Sequence, residues 1–113
     1  MHVRHWENSG GNILDKYTVK MFPQAYRDID KIYEQALLVS NYADDAIALA
    51  EKLEKAILSL EEQPYRVAER KYGFYAFKGY RQLTVENYII VYEVFENEKV
   101  VAVVTIKYGK SEF

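Results

Sequence analysis

Two hydrophobic periods divide this chain of 113 residues. Toward its end, apolar side chains crowd three short runs, Arg81–Val85, Tyr88–Phe95 and Val100–Tyr108, each dense in Val, Ile, Thr, Tyr and Phe. That composition favours strands. Only Glu86-Asn87 and Glu96-Asn97-Glu98-Lys99 separate the runs. Connections this short permit hairpins alone, so the runs predict an antiparallel meander. Tyr88–Phe95 is apolar at both parities, which marks an interior strand. Val85, Val91, Val94, Val101, Val103 and Ile106, with Ile89 or Ile90, make up the expected inner face.

Upstream, residues 17–22 alternate Tyr17, Val19 and Met21 with Thr18, Lys20 and Phe22, which predicts a first strand. Pro23 stops that strand and suits the opening turn of a helix. From 24 to about 39 the spacing turns helical, with Tyr26, Ile29, Ile32 or Tyr33, Ala36 and Leu37 on one face and Arg27, Asp28, Lys31 and Glu34 on the other. Ser40 and Asn41 interrupt the pattern, and either suits the cap of a second helix with Asp44 and Asp45 at its positive end. The second stripe is Ala46, Ala50, Leu53, Ile57 and Leu60, and Gln63-Pro64 ends it. Two such helices form a hairpin whose common apolar face must cover the meander. The expected fold is α+β in the order β-α-α-β-β-β, a helical hairpin packed on an antiparallel sheet. It occupies residues 17–113 as a single domain. Residues 1–16 contain Ser9-Gly10-Gly11-Asn12 and no sustained period, and are expected to form a flexible N-terminal extension.

Composition narrows the chemistry. Half the residues are hydrophobic and 28% are charged, enough for one domain to bury a core without staples. No run approaches the ~20 apolar residues that span a bilayer, so no membrane partner is expected. Cysteine is absent, which excludes thiolate chemistry and fits a reducing cytoplasm. The two histidines, His2 and His5, fall in the extension. No metal-spaced cluster, Gly-rich phosphate loop or Ser/His pair is visible, so neither metal nor cofactor is expected. The carboxylate pairs Asp44-Asp45 and Glu61-Glu62 sit at helix ends, where capping and solvation account for them.

The net charge of −2 conceals a basic segment. Arg66, Arg70, Lys71, Lys78 and Arg81 face only Glu69 there, interleaved with Tyr65, Tyr72, Phe74, Tyr75, Phe77 and Tyr80. Cations that hold phosphates beside rings that stack on bases are what single-stranded RNA recognition uses. A loop packed on the sheet by its rings, with cations as a solvated rim, explains the same residues. On the first reading Arg70, Lys71, Lys78 and Arg81 are the candidate nucleic-acid contacts.

The order of elements, with Tyr17-x-Val19, Ala25-x-x-Asp28-Ile29 and Ile32-Tyr33, then Ile57-x-x-Leu60 and Pro64, then Gly79-x-Arg81-x-Leu83, Asn87-Tyr88-Ile89-Ile90-Val91-Tyr92 and Ile106-x-Tyr108-Gly109-Lys110, resembles the RelE/ParE superfamily of bacterial toxins. The resemblance implies one half of a type II toxin–antitoxin pair, a growth inhibitor of the cytoplasm held in a hetero-oligomer by its cognate antitoxin. RelE-like members cut mRNA on the ribosome. ParE-like members inhibit DNA gyrase and are not nucleases. Fold does not separate the two.

Metal-free RNA cleavage through the 2′-hydroxyl needs a base, an acid and cations around one phosphate. Arg81, Lys107, Tyr108 and Lys110 are the candidates, and an unshifted Lys or Tyr, titrating near ~10, needs substantial tuning for either proton-transfer role. Two positions depart from the nuclease pattern. Ile89 stands where RelE-like nucleases usually carry Arg, and Tyr108-Gly109-Lys110-Ser111 replaces a more basic ending. The expectation is a toxin that cleaves mRNA through Arg81 and the Lys107–Lys110 region. The alternatives are a ParE-like gyrase inhibitor and a non-toxic protein-binding module.

Overall fold

A computed structural model describes residues 3–4, 16–39, 43–67 and 79–109. Its elements are β1 (Val3–Arg4), β2 (Thr18–Met21), α1 (Pro23–Val39), α2 (Ala43–Ser59), β3 (Arg81–Val85), β4 (Tyr88–Phe95) and β5 (Val100–Tyr108). The three strands of the meander keep the bounds read from their composition, because the polar turns Glu86-Asn87 and Glu96-Asn97-Glu98-Lys99 separate them. Pro23 opens α1, where its missing N–H costs nothing and its fixed φ already suits the helix.

One sheet runs in the order β1-β2-β5-β4-β3. Its β3-β4-β5 portion is antiparallel throughout, and β4 is flanked on both sides as its two-sided apolarity required. β2 joins the outer edge of β5 in the parallel sense, from Thr18 opposite Val100 to Met21 opposite Val103. The sheet is therefore mixed where a wholly antiparallel one was expected. Two tight hairpins force β3, β4 and β5 to alternate, but two helices intervene after β2 and leave its direction free. From the extension, Val3 and Arg4 form β1, antiparallel to β2.

Both helices cover one face. Tyr17, Val19, Ala25, Ile32, Leu53, Ile57 and Leu60 pack there against Leu83, Ile90, Tyr92, Val101, Val103 and Ile106. Burying each large aliphatic side chain of this set contributes ~1.5–3 kcal/mol. The parity of β4 is settled by Ile90 and Tyr92, which face the helices. Val91, expected on the inner face, alternates with them and is buried on the opposite face, as is Ala102.

The α2 stripe holds as expected, with Ala46, Leu53 and Ile57 buried. The α1 stripe is turned. Ala25, Asp28 and Ile32 face inward, whereas Leu37, Leu38 and Val39 are exposed. Asp28, expected on the polar face, is buried because it terminates hydrogen bonds from β5. Glu61, expected to be solvated, is also buried, and its carbonyl accepts the Tyr17 N–H at 2.8 Å.

A bulge bends β5. Val91 stands opposite Thr105 but Tyr92 opposite Val103, which leaves Val104 without a partner. It falls where β2 ends at Met21 and β5 loses its parallel neighbour. There the backbone of β5 must find other partners, and α1 supplies one.

Candidate functional site

Polar side chains gather at opposite ends of the sheet. At one end the chain turns through residues 96–99, with the Lys99 N–H donating to the Glu96 carbonyl at 3.2 Å. Lys99 takes a left-handed φ of 54°, a conformation uncommon for a residue with a side chain. Its carbonyl accepts the Thr18 N–H at 2.8 Å, which brings the start of β2 beside the turn. Tyr17 and Tyr65 both donate their hydroxyls to Glu96 Oε1, each at 2.7 Å. Lys99 Nζ donates to Glu96 Oε2 and lies 4.9 Å from the centre of the Tyr17 ring. The two tyrosine rings meet edge-on at 6.3 Å.

Arg81 joins this cluster from the head of β3. Its guanidinium donates to the Val67 carbonyl at 2.5 Å and sits over the Tyr65 ring at 4.9 Å. Beneath it, the buried Tyr92 hydroxyl donates to the Pro64 carbonyl at 2.7 Å. The segment after α2 is thus pinned to the sheet by Arg81 and Tyr92 and to the β4–β5 turn by Tyr65.

Every titration shift in the cluster leads away from neutrality. Hydrogen bonds from Lys99, Tyr65 and Tyr17 hold the Glu96 carboxyl down at about 2. The hydrogen bond to Glu96, with burial and the Glu96 charge, pushes Tyr65 up to about 12. Tyr17 rises for the same reasons, and the bond to Glu96 raises Lys99. Proton transfer at neutral pH needs groups tuned toward 7. These groups are ties between elements.

At the other end, Asp28 completes the free edge of β5 past the bulge. Its Oδ2 accepts the Thr105 hydroxyl and the Ile106 N–H at 3.0 Å, standing in for the missing strand. Oδ1 accepts Gln24 Nε2 at 2.9 Å, and Lys107 Nζ lies 3.9 Å from it. Tyr108 packs edge-on against Tyr88, ring centres 5.7 Å apart. Gly109 follows, its N–H donating to the Asn87 carbonyl at 2.6 Å. A Cβ there would stand 3.1 Å from the same oxygen, so the glycine of the Tyr-Gly-Lys ending meets a packing need.

Among the described residues, Arg81 stands apart from Lys107 and Tyr108. Arg81 lies in the row of Tyr92 and Val103, and Tyr108 in the row of Tyr88 and Val85. The rows are four residues apart along β3, roughly 13 Å. Lys107 and Tyr108 are neighbours at the far end from Arg81, and Lys107 is turned toward Asp28. Arg70, Lys71, Lys78 and Lys110 lie outside the described residues, as do His2, His5 and the rings at 72, 74, 75 and 77. No group of three or more metal-ligating side chains occurs among the described residues.

The Tyr108 end also carries an open groove of about 630 Å³, lined by Gln35, Ala36, Leu38, Val39, Asp45, Leu49, Tyr88 and Tyr108. Leu38 and Val39 are 85% and 87% exposed. Sequence reasoning missed this patch, Asp28 and Glu96. The run Ala36-Leu37-Leu38-Val39 was its one visible sign, since four apolar residues in succession cannot all face a core on one side of a helix.

A helical hairpin laid on a mixed sheet, with its first long strand parallel to its last, is the architecture of the small RelE/ParE toxins. The model of the ParE toxin of the type II toxin–antitoxin system, parDE, matches residues 19–113, and the chain belongs to that family. Among solved structures, the chromosomal ParDE toxin–antitoxin system of P. aeruginosa is similar at a TM-score of 0.69 and 19% identity, covering 83% of this chain and 97% of that one. The toxin–antitoxin complex RelBE2 of Mycobacterium tuberculosis is similar at 0.57 and 20% identity, covering 82% and 98%. Among curated proteins no sequence matches. The protein is a toxin of a type II toxin–antitoxin system, and among its described residues no helix is long and apolar enough to cross a membrane.

Proposed function

We propose that this toxin arrests growth in the cytoplasm by occupying a protein target rather than by cutting RNA, and that a cognate antitoxin holds it inactive. The target class that the ParE resemblance suggests is DNA gyrase. The separation of Arg81 from Lys107 and Tyr108 carries the reading. Cleavage asks a base, an acid and a charge stabiliser to meet on one phosphate within hydrogen-bonding reach, and the described members of the candidate set are split between two ends of the sheet. Arg81 is moreover engaged by Val67 and Tyr65. The exposed apolar groove beside Tyr108 suits a protein surface better than a polyanion. Both family structures named above are of toxin–antitoxin systems, which supports the antitoxin as the first partner.

Inducible expression in a bacterium tests this, with growth, mRNA ends and DNA damage scored together. The expected result is growth arrest with a DNA-damage response and intact mRNA ends, reversed by co-expression of the small protein encoded beside the toxin. New mRNA ends within minutes, abolished by Arg81→Ala or Tyr108→Phe at unchanged stability, would establish the nuclease reading instead. Unimpaired growth would mark a binding module that has lost toxicity.

A further inference from the structure

The outer edge of β2 is covered among the described residues only by the two-residue strand β1. Thr18 and Phe22 donate their N–H groups inward, to the carbonyls of Lys99 at 2.8 Å and Val103 at 2.9 Å. By the two-residue period of a strand, Lys20 points the same way, and Val19 and Met21 direct both N–H and C=O outward. Tyr17, of the outward set, is satisfied by Glu61. Arg4 stands opposite Val19, and Val3 opposite Lys20. Arg4 and Val19 are therefore the pair that exchanges two hydrogen bonds. The family match begins only at residue 19, so β1 lies outside the segment that matches the family.

An open strand edge is a template for another chain, and proteins guard it with cover or with lysine. We propose that β1 is a strap that closes the edge of β2 against a second copy of this chain, with Lys20 as the second guard. If two β2 edges meet antiparallel about a two-fold axis, the register that satisfies both outward-pointing residues pairs Val19 with Met21 of the other copy. That register sets Lys20 against its own equivalent, across the closely spaced non-bonded pair. Lys20 is exposed, so two like charges would face one another there and oppose the pairing. The arm occupies the Val19 groups, and the lysine penalises what the arm leaves open.

The test uses the full chain with Arg4→Pro, Lys20→Thr and the double variant, followed by amide exchange and by mass in solution. Arg4→Pro removes the donor to Val19 and restricts the backbone there. The Val19 amide should then exchange about tenfold faster or more. The Lys20 amide, bonded to β5, should keep its rate and so report an intact sheet. The double variant should form dimers with concentration, and Lys20→Thr alone should remain monomeric under its strap. The proposal is overturned if Val19 exchanges as fast in the unaltered chain as in Arg4→Pro. It is equally overturned if Lys20→Thr alone dimerises as readily as the double variant, or if the double variant stays monomeric.

Discussion

Asp28 is the residue on which α1 and β5 depend most. Past the bulge β5 has no parallel neighbour, and a buried N–H without an acceptor costs ~1–3 kcal/mol. Asp28→Ala strands the Ile106 N–H and the Thr105 hydroxyl together, and should lower the unfolding free energy by about 2–4 kcal/mol. Thr105→Val removes one donor and leaves the other bond intact, so about 1 kcal/mol is expected. Lys107→Met should cost less than about 1 kcal/mol, because the ion pair is long and the lysine is partly exposed. Urea denaturation of the three variants checks the order, and equal losses would mean that Asp28 acts through charge alone. The burial was hard to read from the chain, since an aspartate among Arg27, Lys31 and Glu34 fits a solvated face. Its partner groups are a strand hydroxyl and a main-chain amide 77 and 78 residues away, and no local spacing signals such bonds.

Among the elements, the Glu96 cluster joins β2, the β4–β5 turn and the segment after α2. Its contribution should follow acid titration in a set direction. A carboxyl whose folded value falls from the ordinary 4.5 to about 2 stabilises the fold fully above 4.5 and loses that effect as the pH falls through about 2. The stability difference between the unaltered chain and Glu96→Gln should therefore be constant near neutrality, shrink below about 4.5 and vanish near 2. At the alkaline end the sign reverses. Tyr65 rises from 10.0 to about 12, so its contribution is complete below 10 and fades as the pH climbs through about 12. Thermal unfolding against pH, with ultraviolet titration of Tyr65→Phe, measures both limbs. A Glu96 effect that persists unchanged at pH 2 would show that the hydroxyl bonds do not depend on its charge. The strands and helices around this cluster were legible in the chain because each carries its own period and its own stop signal. The parallel pairing of β2 was not, since direction follows from a crossover through two helices. The parity of β4 was equally hidden, because both of its faces are largely apolar and neither offers a polar stripe to exclude.

The whole molecule presents two unlike ends. At the Arg81 end, cations and phenols are consumed in holding elements together. At the Tyr108 end, Leu38, Val39 and Tyr108 stand open to solvent around a groove. Large apolar side chains grouped on a small protein mark a surface that binds, and the toxin of a toxin–antitoxin pair needs such a surface. Substitution can separate fold from function here, since Leu38 and Val39 contribute almost nothing to the core. Leu38→Glu with Val39→Glu should change unfolding free energy by no more than about 0.5 kcal/mol, the usual range for exposed positions. The same pair should weaken growth arrest, antitoxin capture or both by tenfold or more, because a carboxylate in an apolar contact loses its water without gaining a partner. Arg81→Met should show the opposite profile, a clear loss of stability with arrest falling only as far as the folded fraction falls. Dose-controlled growth curves beside pull-down with the antitoxin distinguish the two patterns. Full arrest and full capture by the glutamate pair would remove the groove from the toxin's working surface, and would return attention to the cations at the far end of the sheet.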